Sequence, residues 1–539
     1  MRYAKVIIAA PACAIFLALF AARSTPAAVS APPTSGATAG LTAWLPPQSG
    51  PIVRTRSGTI EGVRKNNLST FKGIPYAAPP VGDLRWREPQ PAAAWRGVRK
   101  ADAFGNACIQ EPGLSLKNGG DPGPLSEDCL YLNVWTPAPN ASARLPVMVW
   151  IHGGALIFGS GSVAPYDGSY LAQRGAVVVT LNYRLAQLGF FSHPALDKAT
   201  PGGPVNYGLL DLIVALKWVQ QNVAAFGGNP GNVTIFGQSA GGQSVLALFA
   251  SPLVKGLFQK GVAQSPFGIP SSTRAKAREA GVKVADALGL KGAAATLAEL
   301  HAVPAEKFQQ LKGKDLSLAP GFVIGDAALP KPILEVFQNS SEARLPLIIG
   351  STSDDASVVE TAGIDPAAVI KRLGGARILV KRLYPNVKDD NQLGREVLRD
   401  LLFTTFVRRI ADVHARKAPS WRYYFSYVPV GLRANSPSVA HGNEIPFVMG
   451  TGGISETFTG ADREMSRRVG DYWFEFARTG KPAPKGEPAW PQYHGNNDKT
   501  MEFGETIAVQ TSFMRTRMRV FTGLLNVVGK FLGPDYSRG

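Results

Sequence analysis

The chain has 539 residues, 45% of them hydrophobic and 18% charged, with a mean hydropathy close to zero. That apolar content excludes a largely disordered chain, and 58 Gly with 42 Pro scattered without period exclude collagen-like or low-complexity architecture. The net charge is +18 with no dense basic run or nucleic-acid-binding motif, so the excess reads as a solvated basic surface and no nucleic-acid partner is expected.

Residues 1–31 read as an export signal. Arg2 and Lys5 precede an apolar run over 6–22, and small residues follow over 24–31. The run is at the short limit for spanning a bilayer and Pro11 interrupts it, so cleavage is expected in place of stable membrane insertion. A secreted or periplasmic location follows from this reading. Residues 32–47, rich in Ala, Pro, Ser and Thr, read as a flexible lead-in. Cys13 leaves with the signal, and Cys108 and Cys129 remain. They are either paired or two buried thiols; pairing would close a loop of about 22 residues and contribute about 3 kcal/mol. No His lies near them to complete a zinc site, and no metal is expected.

From residue 48 to 539 the pattern alternates between strand-length apolar runs and helical stretches, which predicts one α/β catalytic domain. Short β pieces are expected over 52–62 and 69–71. Strands follow over 147–151, 176–181, 233–236, 345–349 and 423–427, with helices over 209–225, 240–249, 274–288 and 463–479. The segment 513–532 mixes four basic residues with apolar ones. It suits either a membrane-seeking helix or a final helix packed on its own domain, and the second is expected.

Thr234-Ile235-Phe236-Gly237-Gln238-Ser239-Ala240-Gly241-Gly242 carries Gly-x-Ser-x-Gly between a β-rich run and a helical one, the context of a nucleophile elbow. Upstream, Val149-Trp150-Ile151-His152-Gly153-Gly154-Ala155 ends another strand in small residues. The Gly154 and Ala155 N–H groups, with that of Ala240, are candidate oxyanion donors. A serine nucleophile needs a base and an orienting carboxylate. In the order serine, acid, histidine, the bases available are His301, His414, His441 and His494. His441 lies in a loop past the last clear strand, which suits a base. The run 345–349 leads into Asp354-Asp355, and composition does not choose between them.

These motifs resemble the type B carboxylesterase family. The likeness extends to Ser126-Glu127-Asp128-Cys129-Leu130-Tyr131-Leu132-Asn133-Val134-Trp135, Asn182-Tyr183-Arg184-Leu185 and His441-Gly442-Asn443-Glu444-Ile445-Pro446-Phe447. It implies an α/β-hydrolase fold, with a central mostly parallel sheet flanked by helices, a small N-terminal β-sheet and helical insertions. It also implies a Cys108–Cys129 disulfide, an Arg85–Glu127 ion pair, no cofactor, and Asp355 as the acid. Departures from the family pattern are Gln238 in place of Glu, Ala155 in place of Gly, and Pro266 in place of Gly. Trp473 and Phe474 read as core, and Ser265 as a structural hydroxyl.

The resulting expectation is a secreted serine carboxylesterase using Ser239, Asp355 and His441. A non-catalytic adhesion protein on the same fold is disfavoured, because all three positions are occupied and no spanning segment follows. No Trp lies between Cys108 and Cys129, which argues against quaternary ammonium esters. Small to medium soluble esters are favoured. The basic charge leaves room for anionic polycarboxylate esters such as the tricarballylate esters of fumonisin-type mycotoxins. Oligomeric state is unassigned.

Overall fold

The computed structural model describes residues 50–268, 271–311, 321–361, 363–452 and 458–532. The export signal and lead-in expected over 1–47 lie outside the described residues. An 11-stranded sheet organises the chain. Its strands are β1 (Val63–Lys65), β2 (Leu68–Pro75), β3 (Tyr131–Thr136), β4 (Leu145–Ile151), β5 (Val177–Leu181) and β6 (Gly228–Gln238), followed by β7 (Lys260–Gln264), β8 (Leu347–Thr352), β9 (Ser420–Phe425), β10 (Lys499–Phe503) and β11 (Ile507–Thr511). Their spatial order is β11-β10-β9-β8-β7-β6-β4-β5-β3-β2-β1. The run from β10 to β5 is parallel throughout, while β11 at one edge and β3, β2 and β1 at the other pair antiparallel. A separate three-stranded sheet of Ile52–Arg54, Thr59–Glu61 and Val98–Lys100 forms the small N-terminal layer.

Helices cover both faces, which is why the central strands read as unbroken apolar runs. Val147, Val149 and Ile151 of β4 enter one core with α1 (Tyr207–Asn222), α2 (Ala240–Ala250) and α3 (Thr405–His414). Met148 and Trp150, on the alternate positions, enter a second core with α4 (Gly460–Thr479). Trp473 is buried in that second core, as expected. Among the described residues one stretch, Tyr207–Phe226, is long and apolar enough to cross a membrane, but 67% of its most apolar window is buried. The last helix, α5 (Arg515–Leu532), turns Met518, Phe521 and Leu525 inward, stacks Arg517 on Tyr384 and pairs Arg515 with Asp498 at 2.8 Å. It is a final helix docked on its own fold.

Strand bounds differ from those expected: β6 spans Gly228–Gln238 where 233–236 was expected, and β4 begins at Leu145 and not at 147. The apolar run 345–349 becomes β8, which continues through the polar Gly350-Ser351-Thr352 because β9 pairs with it as far as Phe425. The expected strand 423–427 begins instead at Ser420 and ends at Phe425. Cys108 and Cys129 form a disulfide, and Arg85 holds Glu127 through Nε and Nη2 at 2.7 and 2.6 Å. This is the α/β-hydrolase architecture that the resemblance implied.

Candidate active site

The carboxyl ends of β4, β6 and β8 converge on one rim, where chemistry collects in open parallel sheets. Ser239 follows β6 at φ 58° and ψ −123° and opens directly into α2. That backbone is strained for a residue with a side chain. The surroundings force it: a Cβ at Gly241 would fall 2.0 Å from the Ile151 carbonyl oxygen, and one at Gly237 would fall 2.5 Å from it. Both positions are glycine because the end of β6 and the start of α2 lie against that oxygen of β4. The Ser239 N–H donates to the Gln264 carbonyl at 2.9 Å, tying the turn to β7.

The loop after β4 lies against this turn. Gly153 is so close that a Cβ there would sit 3.1 Å from Ser239 Cβ. Gly154, Ala155 and Leu156 have φ of +98°, +53° and +63°, a tight left-handed curl. Among the described residues, neither the Gly154 nor the Ala155 N–H donates to any acceptor. The Ala240 N–H, at the first position of α2, has no acceptor within the helix. His152, which starts the loop, is scaffold. It is buried, stacks on Tyr183 with ring centroids 4.4 Å apart, and accepts from the Tyr183 hydroxyl through its carbonyl at 3.0 Å. Burial pushes its imidazole down to about 4, so it is neutral near pH 7.

Asp355 and His441 meet. Asp355 Oδ1 is 2.7 Å from His441 Nδ1, and the Thr352 N–H and hydroxyl each donate to the same carboxylate at 2.9 Å. Asp354, the alternative that composition left open, turns to Arg395. The two loops are fastened by Asp354 N–H to the Val439 carbonyl at 2.9 Å and by His441 N–H to Ser357 Oγ at 2.8 Å. Gly442 lies against the Gln238 side chain, which brings the histidine loop beside the elbow. His441 Nε2 is buried with no hydrogen-bond partner among the described residues.

The other histidines are placed elsewhere. His301 is in a helix with Nδ1 3.7 Å from Asp83, His414 is buried against Glu342, and His494 sits in a turn. Among the described residues no three His, Cys, Asp or Glu side chains gather to hold a metal ion.

Two neighbours carried no role in the sequence reading. Phe403 packs beside His441, tilted by 55° with ring centroids 5.2 Å apart, and comes from a buried π-helical turn, Asp400–Thr404, that no local pattern announces. Glu444 stands within the quoted His441 segment, so its position was visible but its burial was not. Burial first, then the nearby Asp355, pushes its carboxyl up to about 7. Gln264 donates to it at 3.4 Å, and Trp473 Nε1 donates to Gln264 at 3.2 Å.

The carboxylesterase family profile matches residues 49–374 and 385–521. The chain is 35% identical over 478 residues to the fumonisin B1 esterase of Sphingopyxis macrogoltabida, covering 85% of this chain and 87% of that protein. It is 36% identical over 487 residues to the para-nitrobenzyl esterase of Bacillus subtilis, covering 85% and 96%. The solved structure of a thermophilic para-nitrobenzyl esterase superimposes with a TM-score of 0.75 at 33% identity, over 87% of this chain and 99% of that one. With the profile spanning nearly the whole fold and relatives of this identity, the chain belongs to the carboxylesterase family and is a carboxylic ester hydrolase.

Proposed function

We propose that hydrolysis runs through an acyl-enzyme on Ser239, with His441 as base and Asp355 as its orienting acid. The observation that carries this is the 2.7 Å contact between Asp355 Oδ1 and His441 Nδ1, which leaves Nε2 unpartnered in a loop against the elbow. A carboxylate accepts from Nδ1–H, so the Nε2 lone pair is the one presented to the serine hydroxyl. Ser239 Oγ attacks the ester carbonyl as Nε2 takes its proton. The carbonyl oxygen becomes an oxyanion bound by the Gly154, Ala155 and Ala240 N–H groups, each worth about 3 kcal/mol of transition-state stabilisation. The alcohol leaves with the proton from His441. Water then adds to the acyl-serine by the same sequence and releases the acid. No step calls on a cofactor.

The reading extends to an exported enzyme, residues 48–539 acting as one catalytic unit after loss of 1–31. The Cys108–Cys129 disulfide supports an oxidising compartment. Small to medium soluble esters are the preferred substrates, supported by the likeness to para-nitrobenzyl esterase. A second reading, anionic polycarboxylate esters, is favoured by the basic net charge, +15 after Arg2, Lys5 and Arg23 leave with residues 1–31, and by the likeness to a fumonisin B1 esterase.

The test is 4-nitrophenyl butyrate turnover by the mature chain and by Ser239→Ala. Activity that survives the substitution removes Ser239 as nucleophile. A matched pair of neutral and tricarballylate esters then decides between the two substrate readings through kcat/KM, and a loss of any anionic preference at high salt supports steering by charge.

A further inference from the structure

The family profile stops at residue 374 and resumes at 385. The piece between, which the profile does not match, holds a short helix, Arg377–Arg382. It sits within a run, 366–388, that has no acidic residue and includes Lys371, Arg377, Lys381, Arg382 and Lys388. Arg377 pairs with Asp390 at 2.8 Å, whereas Lys371, Lys381, Arg382 and Lys388 make no ion pair among the described residues.

The helix is anchored on one side and bare on the other. Val380 and Leu383 pack against the cluster that contains Leu373, Tyr384 and Phe403. Ile378 is 65% exposed, the most of any large apolar side chain among the described residues, and Leu379 beside it is 52% exposed. Isolated exposed aliphatics are ordinary; here two adjacent ones stand among unpaired cations, which makes this face amphipathic.

We propose that this helix docks the protein on an anionic phospholipid bilayer. Lys381 and Arg382 then meet lipid phosphates, and Ile378 and Leu379 enter the boundary between headgroups and acyl chains. Charge complementarity selects this occupant. A second copy of the chain would bring like charges together. A nucleic acid or acidic protein would satisfy the cations and leave the two aliphatic side chains without a role. The net charge, +18 for the full chain and +15 once Arg2, Lys5 and Arg23 leave with residues 1–31, adds long-range attraction toward the same surface.

Co-sedimentation tests this with the whole mature chain and vesicles of equal parts phosphatidylglycerol and phosphatidylcholine, against phosphatidylcholine alone. Two variants are compared with the wild type, Ile378→Ser/Leu379→Ser and Lys381→Glu/Arg382→Glu. Both change exposed side chains only, and unchanged melting and 4-nitrophenyl butyrate turnover establish that the fold is kept. The expected result is binding to the anionic vesicles only, reduced about tenfold or more by each variant. Three results overturn the proposal. One is a wild type that stays in the supernatant, and another is a pair of variants that bind as the wild type does. The third is an Ile378→Ser/Leu379→Ser protein that binds normally but changes oligomeric state by light scattering, which makes a second copy the occupant.

Discussion

His441 and His414 each lie against a buried carboxylate, Asp355 at 2.7 Å and Glu342 at 2.8 Å. By distance and burial the two pairs are nearly interchangeable. The far side of each ring separates them. His414 Nε2 lies 2.9 Å from the Leu345 carbonyl oxygen, so both of its nitrogens are occupied and the ring is a strut between α3 and the strand entering the sheet. His441 Nε2 has no partner and stands in a loop beside the elbow. A His–carboxylate contact is therefore no signature of catalysis by itself; the unfilled nitrogen beside the elbow is what sets the proposed base apart from a brace.

The widest separation expected between the pairs is in turnover. His441→Ala should lower kcat by roughly 10⁵- to 10⁶-fold, whereas His414→Ala should retain the activity of whatever protein folds. Active-site titration with a fluorophosphonate, set against total protein, checks both. Comparable losses in the two variants would erase the distinction. Next, Asp355→Asn should lower kcat about 10⁴-fold with the melting profile little changed, because an amide cannot hold the imidazolium that forms in the transition state.

The third substitution inverts the pattern. Glu342→Gln gives His414 a weaker acceptor where both side chains are fully buried, and should cost roughly 1–3 kcal/mol of stability at unaltered kcat. Urea unfolding followed by tryptophan fluorescence measures the first quantity and steady-state kinetics the second. The smallest effect belongs to Glu444, which stands beside the His441 pair only. Its folded carboxyl is raised to about 7 from 4.5, so between those values the native state binds more proton than the unfolded chain. Its contribution to stability is full below pH 4.5 and is lost as pH rises through 7. Glu444→Gln should flatten that part of the stability–pH curve, and a slope identical to wild type would assign it to other groups.

The chemistry was more legible than the scaffold. Ser239, its flanking glycines and the small-residue loop after β4 are local patterns, because a turn this tight demands glycine where backbones nearly touch. Strands β4, β5, β6, β8 and β9 were visible as apolar runs for the same local reason. Strands β3, β7, β10 and β11 were not, since Asn133 breaks the first, Lys260 and Gln264 bracket the second, Lys499 and Glu502 interrupt the third and the last is five residues ending in Gln510 and Thr511. Their pairing comes from neighbours brought in by the rest of the sheet. The end of β8 was misjudged at Gly350 because Ser351 and Thr352 are held extended by β9 and not by their own propensity.

What the amino-acid sequence alone determined is the class: an α/β chain with an elbow serine, small-residue donors upstream, and acids and histidines downstream in the order a hydrolase needs. These follow from short-range steric and spacing rules. The tertiary structure decided which groups touch. It turned Asp355 toward His441 and Asp354 toward Arg395, occupied both nitrogens of His414, set Phe403 beside the His441 ring, and left Ile378 and Leu379 bare. Adjacent carboxylates in sequence are chemically alike, and only the direction imposed by the packed elements around them makes them different.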